Sequence, residues 1–152
     1  VGRAGCTAAG CTAADQLDKR LRWRAGELVL SLGGPTLILQ FSQRLPSASG
    51  IQYEPEELEG YATRMSQMTP PPTSTVLELL DSQQWWNRVV ALRYLERRGG
   101  EGDVPAMKRL MVDQVEVSGE GWSELNPPVN KVGEVADAAI KALRTREQGK
   151  QE

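Results

Sequence analysis

The stretch of sequence that decides the fold runs from residue 75 to residue 98 and reads TVLELLDSQQWWNRVVALRYLERR. It predicts two short helices folded back on each other. Thr75 and Glu78 have the spacing of a capping box at the start of the first helix. Asp81 ends that helix and begins a polar turn that can cap the second one. The second helix stops before Gly99, because glycine is the usual signal at a helix C-terminus.

The second of these helices carries apolar side chains on two sides. At about 100° per residue, the two sides consist of Trp85, Val89, Leu92 and Leu95, and of Trp86, Val90 and Tyr94. A helix that is apolar on two sides must be covered on two sides. The pattern therefore predicts an inner helix in a stack of helices.

Composition limits the functions that the chain can have. The 152 residues predict one domain, and 18 basic against 20 acidic residues give a net charge of −2. This balance does not favour nucleic acid or an anionic membrane as a general partner. The chain has no histidine, which excludes Ser-His and Cys-His catalysis and His-ligated zinc. We therefore predict no enzyme activity, no catalytic residues, no metal and no cofactor.

The N-terminal region begins with a tandem repeat, GCTAA-GCTAA, at residues 5–14. Its cysteines, Cys6 and Cys11, cannot complete a four-thiolate zinc site, and a disulfide between them would close only a small loop. The repeat predicts a flexible tail of small residues. As an alternative, Ala9-Gly10-Cys11 is similar to the end of a bacterial lipoprotein signal.

A short helix is predicted over residues 13–24, with a basic end that we interpret as a solvated face or, alternatively, as a contact for phosphate. Two apolar runs follow, at residues 27–32 and 36–41, on either side of Gly33-Gly34-Pro35. Their alternation predicts a β-hairpin. Because leucine favours helices, a helix pair broken at Gly-Pro is the second option. A membrane anchor preceded by a basic flank is the third.

Three regions follow from this reading: an N-terminal region at 1–54, a helical domain at 55–146 and a polar tail at 147–152. In the helical domain, Pro55 begins a helix that ends at the prolines 70–72. A short helix after Asp103 is predicted to turn Val104, Met107, Leu110 and Met111 inward. A loop covers 114–128, and Val129 to Arg146 forms the closing helix.

The two helix pairs have a common pattern, in which an alanine of the inner helix is followed four residues later by a leucine. The matching segments are Trp86-x-Arg88-x-x-Ala91-x-x-x-Leu95, Asp103-Val104-Pro105-Ala106-x-x-x-Leu110-x-x-Asp113 and Val135-Ala136-x-x-Ala139-x-x-x-Leu143. In these residues the sequence resembles HEAT repeats, particularly the short bacterial type that also occurs in bilin lyases. The resemblance covers residues 75–146, and the second pair has a longer turn than the first.

This resemblance implies an α-solenoid that serves mostly as a protein-binding surface. The predicted fold class is therefore mainly α, a short HEAT-like array of α-hairpins, with an irregular N-terminal region in which a β-hairpin is one option. The predicted function is a non-catalytic protein-interaction or scaffold module. The alternatives are a HEAT-type bilin lyase or ligand-handling protein, by analogy of fold alone, and an envelope-tethered or membrane-anchored adaptor.

Three residues are candidates for binding a partner: Trp122, Trp86 and Arg88. Trp122 is the large aromatic residue of the long turn 114–128, and such insertions often carry interaction sites. It is predicted either to anchor a partner or to fold back over the end of the core. The expected partner is another protein rather than nucleic acid. A cytoplasmic location is favoured, with the cell envelope as the alternative.

Overall fold

The computed structural model describes residues 8–32 and 52–151, with side chains described from residue 20 onward in the first helix. These residues form six α-helices, which are α1 (Ala8–Leu32), α2 (Pro55–Ser66), α3 (Thr73–Leu80), α4 (Trp85–Arg98), α5 (Val104–Lys108) and α6 (Val132–Gln151). Short 3-10 turns occupy Glu101–Asp103, Arg109–Val112 and Glu120–Trp122. Within these ranges there is no β-strand, so the mainly α fold class is confirmed.

Helix α4 lies at the centre of the molecule. It packs against α2, α3 and α6, and ten of its 14 residues are buried. Both predicted apolar sides are covered, since Val89 and Leu92 on one side and Val90 and Tyr94 on the other are all buried. The prediction that this helix is covered on two sides is confirmed.

Four α-helices occupy the region from residue 73 to residue 151, and they make two sequential contacts, α3 with α4 and α5 with α6. Helix α3 packs on α4 across a four-residue turn, and α5 with its following 3-10 turn packs on α6. The predicted capping box is wrong, because α3 begins at Thr73 directly after Pro72, and Thr75 lies buried inside the helix. Because Pro72 is the N-cap residue and no side chain caps this end, Thr75 and Glu78 both lie too far into the helix to form the box.

Helix α1 corrects two predictions for the N-terminal region. It continues through residues 27–32, so the first arm of the predicted β-hairpin is helical. A strand would put Leu28, Leu30 and Leu32 on one face, whereas Leu30 is buried and the other two are exposed. The helix also includes Cys11 and begins at Ala8, where a flexible tail was predicted. The helix preference of alanine and leucine explains both corrections.

Several predictions fall outside the described residues. They concern Cys6, the second apolar run at 36–41 and the loop that was predicted after it. Among the helices in the described ranges, none has the length and apolarity required to cross a bilayer.

The close packing around Ala91 gives a testable prediction. Ala91 is fully buried in the central helix, so Ala91→Leu should overpack its surroundings and lower the free energy of unfolding by about 1–3 kcal/mol. Lys141 is exposed on α6, and Lys141→Leu should change that free energy by less than about 0.5 kcal/mol. Urea denaturation of the two variants tests the order, and a larger loss for Lys141→Leu would contradict it.

Candidate functional site

The indole of Trp122 closes one end of the core. Its ring is only 2% exposed, and its N–H donates a hydrogen bond to the Tyr53 carbonyl oxygen at 2.8 Å. The ring meets Trp85 of α4 edge-on, with 6.1 Å between centroids. Trp122 therefore has the geometry of a cover over the core.

The segment around Trp122 is tied to the residues that precede α2. The Glu54 carboxylate accepts hydrogen bonds from the backbone N–H of Gly121 at 2.8 Å and of Glu120 at 3.2 Å. The Tyr53 N–H donates to the Ser118 carbonyl at 2.9 Å. These bonds fix the middle of the long turn against the body, where Trp122 is buried while Glu120, Ser123 and Glu124 remain exposed.

Trp86 is buried in an aromatic cluster on the same side of the core. Its ring stacks on Tyr53 with 4.7 Å between centroids, and it meets Trp85 edge-on at 6.0 Å. Offset stacking and edge-on contacts are the favoured geometries for aromatic pairs. The indole N–H of Trp86 has no hydrogen-bond partner in the described part of the chain.

Arg88 joins the two helix pairs from inside. Its Nε donates to the Asp113 carboxylate at 2.8 Å, and its terminal nitrogen donates to the Ser82 carbonyl at 2.8 Å. Both partners of the ion pair are mostly buried, so the guanidinium fixes the turn after α3 and the segment after α5. Asp113 is the residue that ends the matching segment of the second pair in the sequence.

The three predicted binding residues thus lie in the interior. The structure brings Trp86 and Trp122 into one cluster around Trp85 and Tyr53, and it places Arg88 apart from them, on Asp113. In this arrangement none of the three presents a side chain at the surface. Their role in binding a partner stays a prediction, and a binding site on the surface would consist of other residues.

A surface groove lies next to the long turn. It has a volume of about 730 Å³ and runs between the segment after α5, the end of the long turn and the first half of α6. Its apolar lining includes Met111 of the segment after α5, Pro127 and Pro128 of the long turn, and Ala138 of α6. Charges of both signs line the same groove, from Asp113, Lys131, Glu134, Asp137 and Lys141.

Apolar side chains are exposed along this edge of the molecule. Met111, Val112 and Val115 are all exposed, and Val112 is the most exposed of the three. The inward position predicted for Met111 is therefore wrong. Helix α5 ends at Lys108 and a 3-10 turn follows, which has three residues per turn instead of 3.6 and changes the direction of Met111.

Backbone hydrogen bonds join the segment after α5 and the long turn to the start of α6. Val117 N–H donates to the Asn130 carbonyl and Val132 N–H donates to the Val115 carbonyl, both at 3.0 Å. The Gly133 N–H donates to the Asp113 carbonyl at 3.1 Å, and a Cβ on Gly133 would come within 2.5 Å of the Met111 carbonyl. Glycine is required at this position because α6 begins against the backbone of the opposite side of the groove.

A buried charge cluster connects α1 to α2. Arg22 donates to both Glu57 carboxylate oxygens, at 2.9 and 2.5 Å, and Tyr61 donates to the same carboxylate at 2.5 Å. The Arg22 guanidinium lies 4.2 Å from the centroid of the Tyr53 ring, within range of a cation–π contact. The cluster holds helix α1 on the body of the protein.

This environment changes the protonation of its members. Burial lowers the Arg22 pKa, but the hydrogen bond and the charge of Glu57 outweigh it, so that the pKa is raised. Burial, followed by the Glu57 carboxylate, raises the pKa of Tyr61, and burial raises the pKa of Tyr53 to about 12. Tyr61 therefore keeps the proton that it donates to Glu57, as an ion-pair network that supports structure requires.

The described residues contain no group of three or more His, Cys, Asp or Glu side chains that could hold a metal ion. The chain was also compared with protein-family models, with curated proteins and with solved structures, and none of them matches it.

Proposed function

We propose that this protein is a non-catalytic interaction module, built on HEAT-like helix pairs, that binds a segment of another protein in the groove beside α6. The observation that carries the proposal is the groove itself, which the exposed Met111 lines, together with the exposed Val112 and Val115 of the adjoining segment. Exposed apolar side chains that cluster around a concave surface often mark interaction sites. A set of charges around an apolar centre is the usual anatomy of a protein–protein interface.

The mixed charges favour a protein segment over nucleic acid. Two lysines and three carboxylates line the groove, and Lys141 is paired with Asp137 at 2.8 Å. A phosphate backbone needs a surplus of positive charge, which these residues do not supply. A peptide with an apolar side chain can place it between Met111 and Pro128 and use its backbone or charged groups at the rim.

The non-catalytic part of the proposal has a separate support. The chain lacks histidine. The buried side chains of Glu57 and Arg88 and the partly buried Arg22 are used in ion pairs that connect different elements of the fold. Helix α4, which contacts α2, α3 and α6, is covered on two sides, as an inner helix of a HEAT pair would be. This supports the HEAT-like reading, which stays a proposal.

A matched pair of substitutions tests the groove. Met111 and Leu77 are both 41% exposed, but only Met111 lines the groove. We expect Met111→Asp to remove the partners captured by the tagged protein from an extract of its source cells, while Leu77→Asp keeps them. For one purified partner, Met111→Asp should weaken binding at least about tenfold, since truncating an interface anchor costs more than 1 kcal/mol.

Thermal melting supplies the control for that experiment. Both residues are exposed, so both variants should melt within a few degrees of the wild type. The proposal is wrong if Met111→Asp is folded, has unchanged stability and still binds the same purified partners with the wild-type affinity.

A further inference from the structure

Helix α1 presents a row of leucines to solvent. Leu21 is 60% exposed, Leu28 59% and Leu32 77%. Spacings of seven and four residues put these three side chains on one side of a helix, over a length of about 16 Å at 1.5 Å per residue. We call this row the leucine stripe. Single exposed leucines need no explanation, but a continuous apolar stripe does.

Positive charge lies directly beside the leucine stripe. Arg20 and Arg24 are exposed, and they fall within about 100° of the leucines around the helix. Glu27 is the one carboxylate between residues 20 and 32. It is half-buried and accepts a hydrogen bond from the Trp23 indole at 3.1 Å. The exposed face of this part of α1 is therefore apolar and cationic, without an exposed acid.

The opposite side of α1 is fixed to the body, so the stripe is held outward. Arg22 is bound to Glu57, and Gly26 and Leu30 are buried. At Gly60 of α2 the two helices approach so closely that an added Cβ would lie 2.9 Å from the Trp23 indole nitrogen. The leucines cannot turn inward without breaking these contacts.

We propose that the face of α1 formed by Leu21, Leu28, Leu32, Arg20 and Arg24 binds an anionic lipid surface. The leucines enter the boundary between headgroups and acyl chains, and the arginines contact lipid phosphates. A helix with leucines on one strip and basic residues next to it is the usual form of an interfacial membrane-binding helix. Each basic residue near an anionic leaflet strengthens binding about fivefold, the equivalent of about 1 kcal/mol.

Two other occupants fit this face less well. A second copy of the chain, paired stripe to stripe, would bring four arginines to one interface with no exposed carboxylate of residues 20–32 to balance them. An acidic helix from another protein would satisfy the charges, but it would have to supply a groove, because the stripe is a ridge on the outside of a helix. A lipid surface accepts such a ridge without any groove.

Vesicle flotation with the whole chain tests the proposal, using vesicles of phosphatidylcholine with and without about one-third phosphatidylglycerol at low salt. We expect the wild type to float with the anionic vesicles and not with the neutral ones. Leu28→Asp should lower the partition coefficient at least about tenfold, because a charge replaces a leucine in the acyl boundary. Arg20→Gln with Arg24→Gln should lower it on the order of twenty-fivefold, and Leu77→Asp should leave it unchanged.

The other outcomes overturn the proposal. If the wild type does not float with anionic vesicles, an anionic lipid surface is excluded. It is also excluded if the wild type floats equally well with neutral vesicles and the double arginine variant floats as well as the wild type. A wild type that is dimeric in solution and becomes monomeric with Leu28→Asp would assign the stripe to a second copy. Binding to an acidic amphipathic peptide without binding to vesicles would assign it to a protein. The groove variant Met111→Asp should float like the wild type, which separates this proposal from the protein-binding function.

Discussion

Replacing Trp122 by alanine is expected to lower the free energy of unfolding by about 3–5 kcal/mol, the range for removing a large aromatic side chain from a core. Three losses act together. The buried ring leaves a cavity next to Trp85, the Tyr53 carbonyl loses the donor at 2.8 Å, and the long turn loses its contact with the core. For a domain of this size, such a change lowers the melting temperature by roughly 10 °C or more.

Trp122→Phe distinguishes the contribution of the buried ring to stability from that of its hydrogen bond. Phenylalanine keeps most of the apolar contact but cannot donate to Tyr53, so the loss should be smaller than for alanine. Thermal melts and urea denaturation of both variants measure the difference. If Trp122→Ala is as stable as the wild type, the indole does not cover the core, and its interpretation as an exposed anchor is restored.

The central part of the fold could be predicted from the sequence because its signals are local. The apolar pattern of residues 85–95 repeats within one helix, and the glycines after Arg98 end it. A helix boundary is determined by residues close to it in the sequence. A helix with two apolar sides must be packed against other elements on both sides, whichever elements these are. The burial of α4 follows from these facts alone.

The site depends on contacts that the sequence does not show. Trp122 finds its hydrogen-bond acceptor 69 positions away along the chain, at Tyr53, and only that contact decides between a cover and an anchor. The groove forms because a 3-10 turn replaces the end of α5 and redirects Met111, a change that helical periodicity does not predict. The alternation of apolar residues at 27–32 predicted a β-strand, which was wrong. Helix propensity and the contact with α2 make this segment part of α1.

Arg22→Met is expected to cause the second large loss of stability, about 3–5 kcal/mol, because it leaves Glu57 as a buried carboxylate without its counter-charge. Glu57 is 1% exposed and receives two of its hydrogen bonds from Arg22. The protein can limit this cost by releasing α1, which would open the carboxylate to water. We therefore expect the amides of residues 22–32 to lose their protection from hydrogen exchange together with the fall in urea stability.

Two further variants distinguish the ion pair from a general effect of losing an arginine. Arg24 is exposed on the same helix, so Arg24→Met should change stability by less than about 0.5 kcal/mol. The double variant Arg22→Met with Glu57→Met should be more stable than Arg22→Met alone, since no unpaired charge remains and the Tyr61 hydroxyl keeps the backbone carbonyl of residue 22 at 3.4 Å as an acceptor. If the double variant is instead the less stable of the two, Glu57 does not depend on Arg22 for its charge compensation, and helix α1 is held mainly by its apolar contacts with α2.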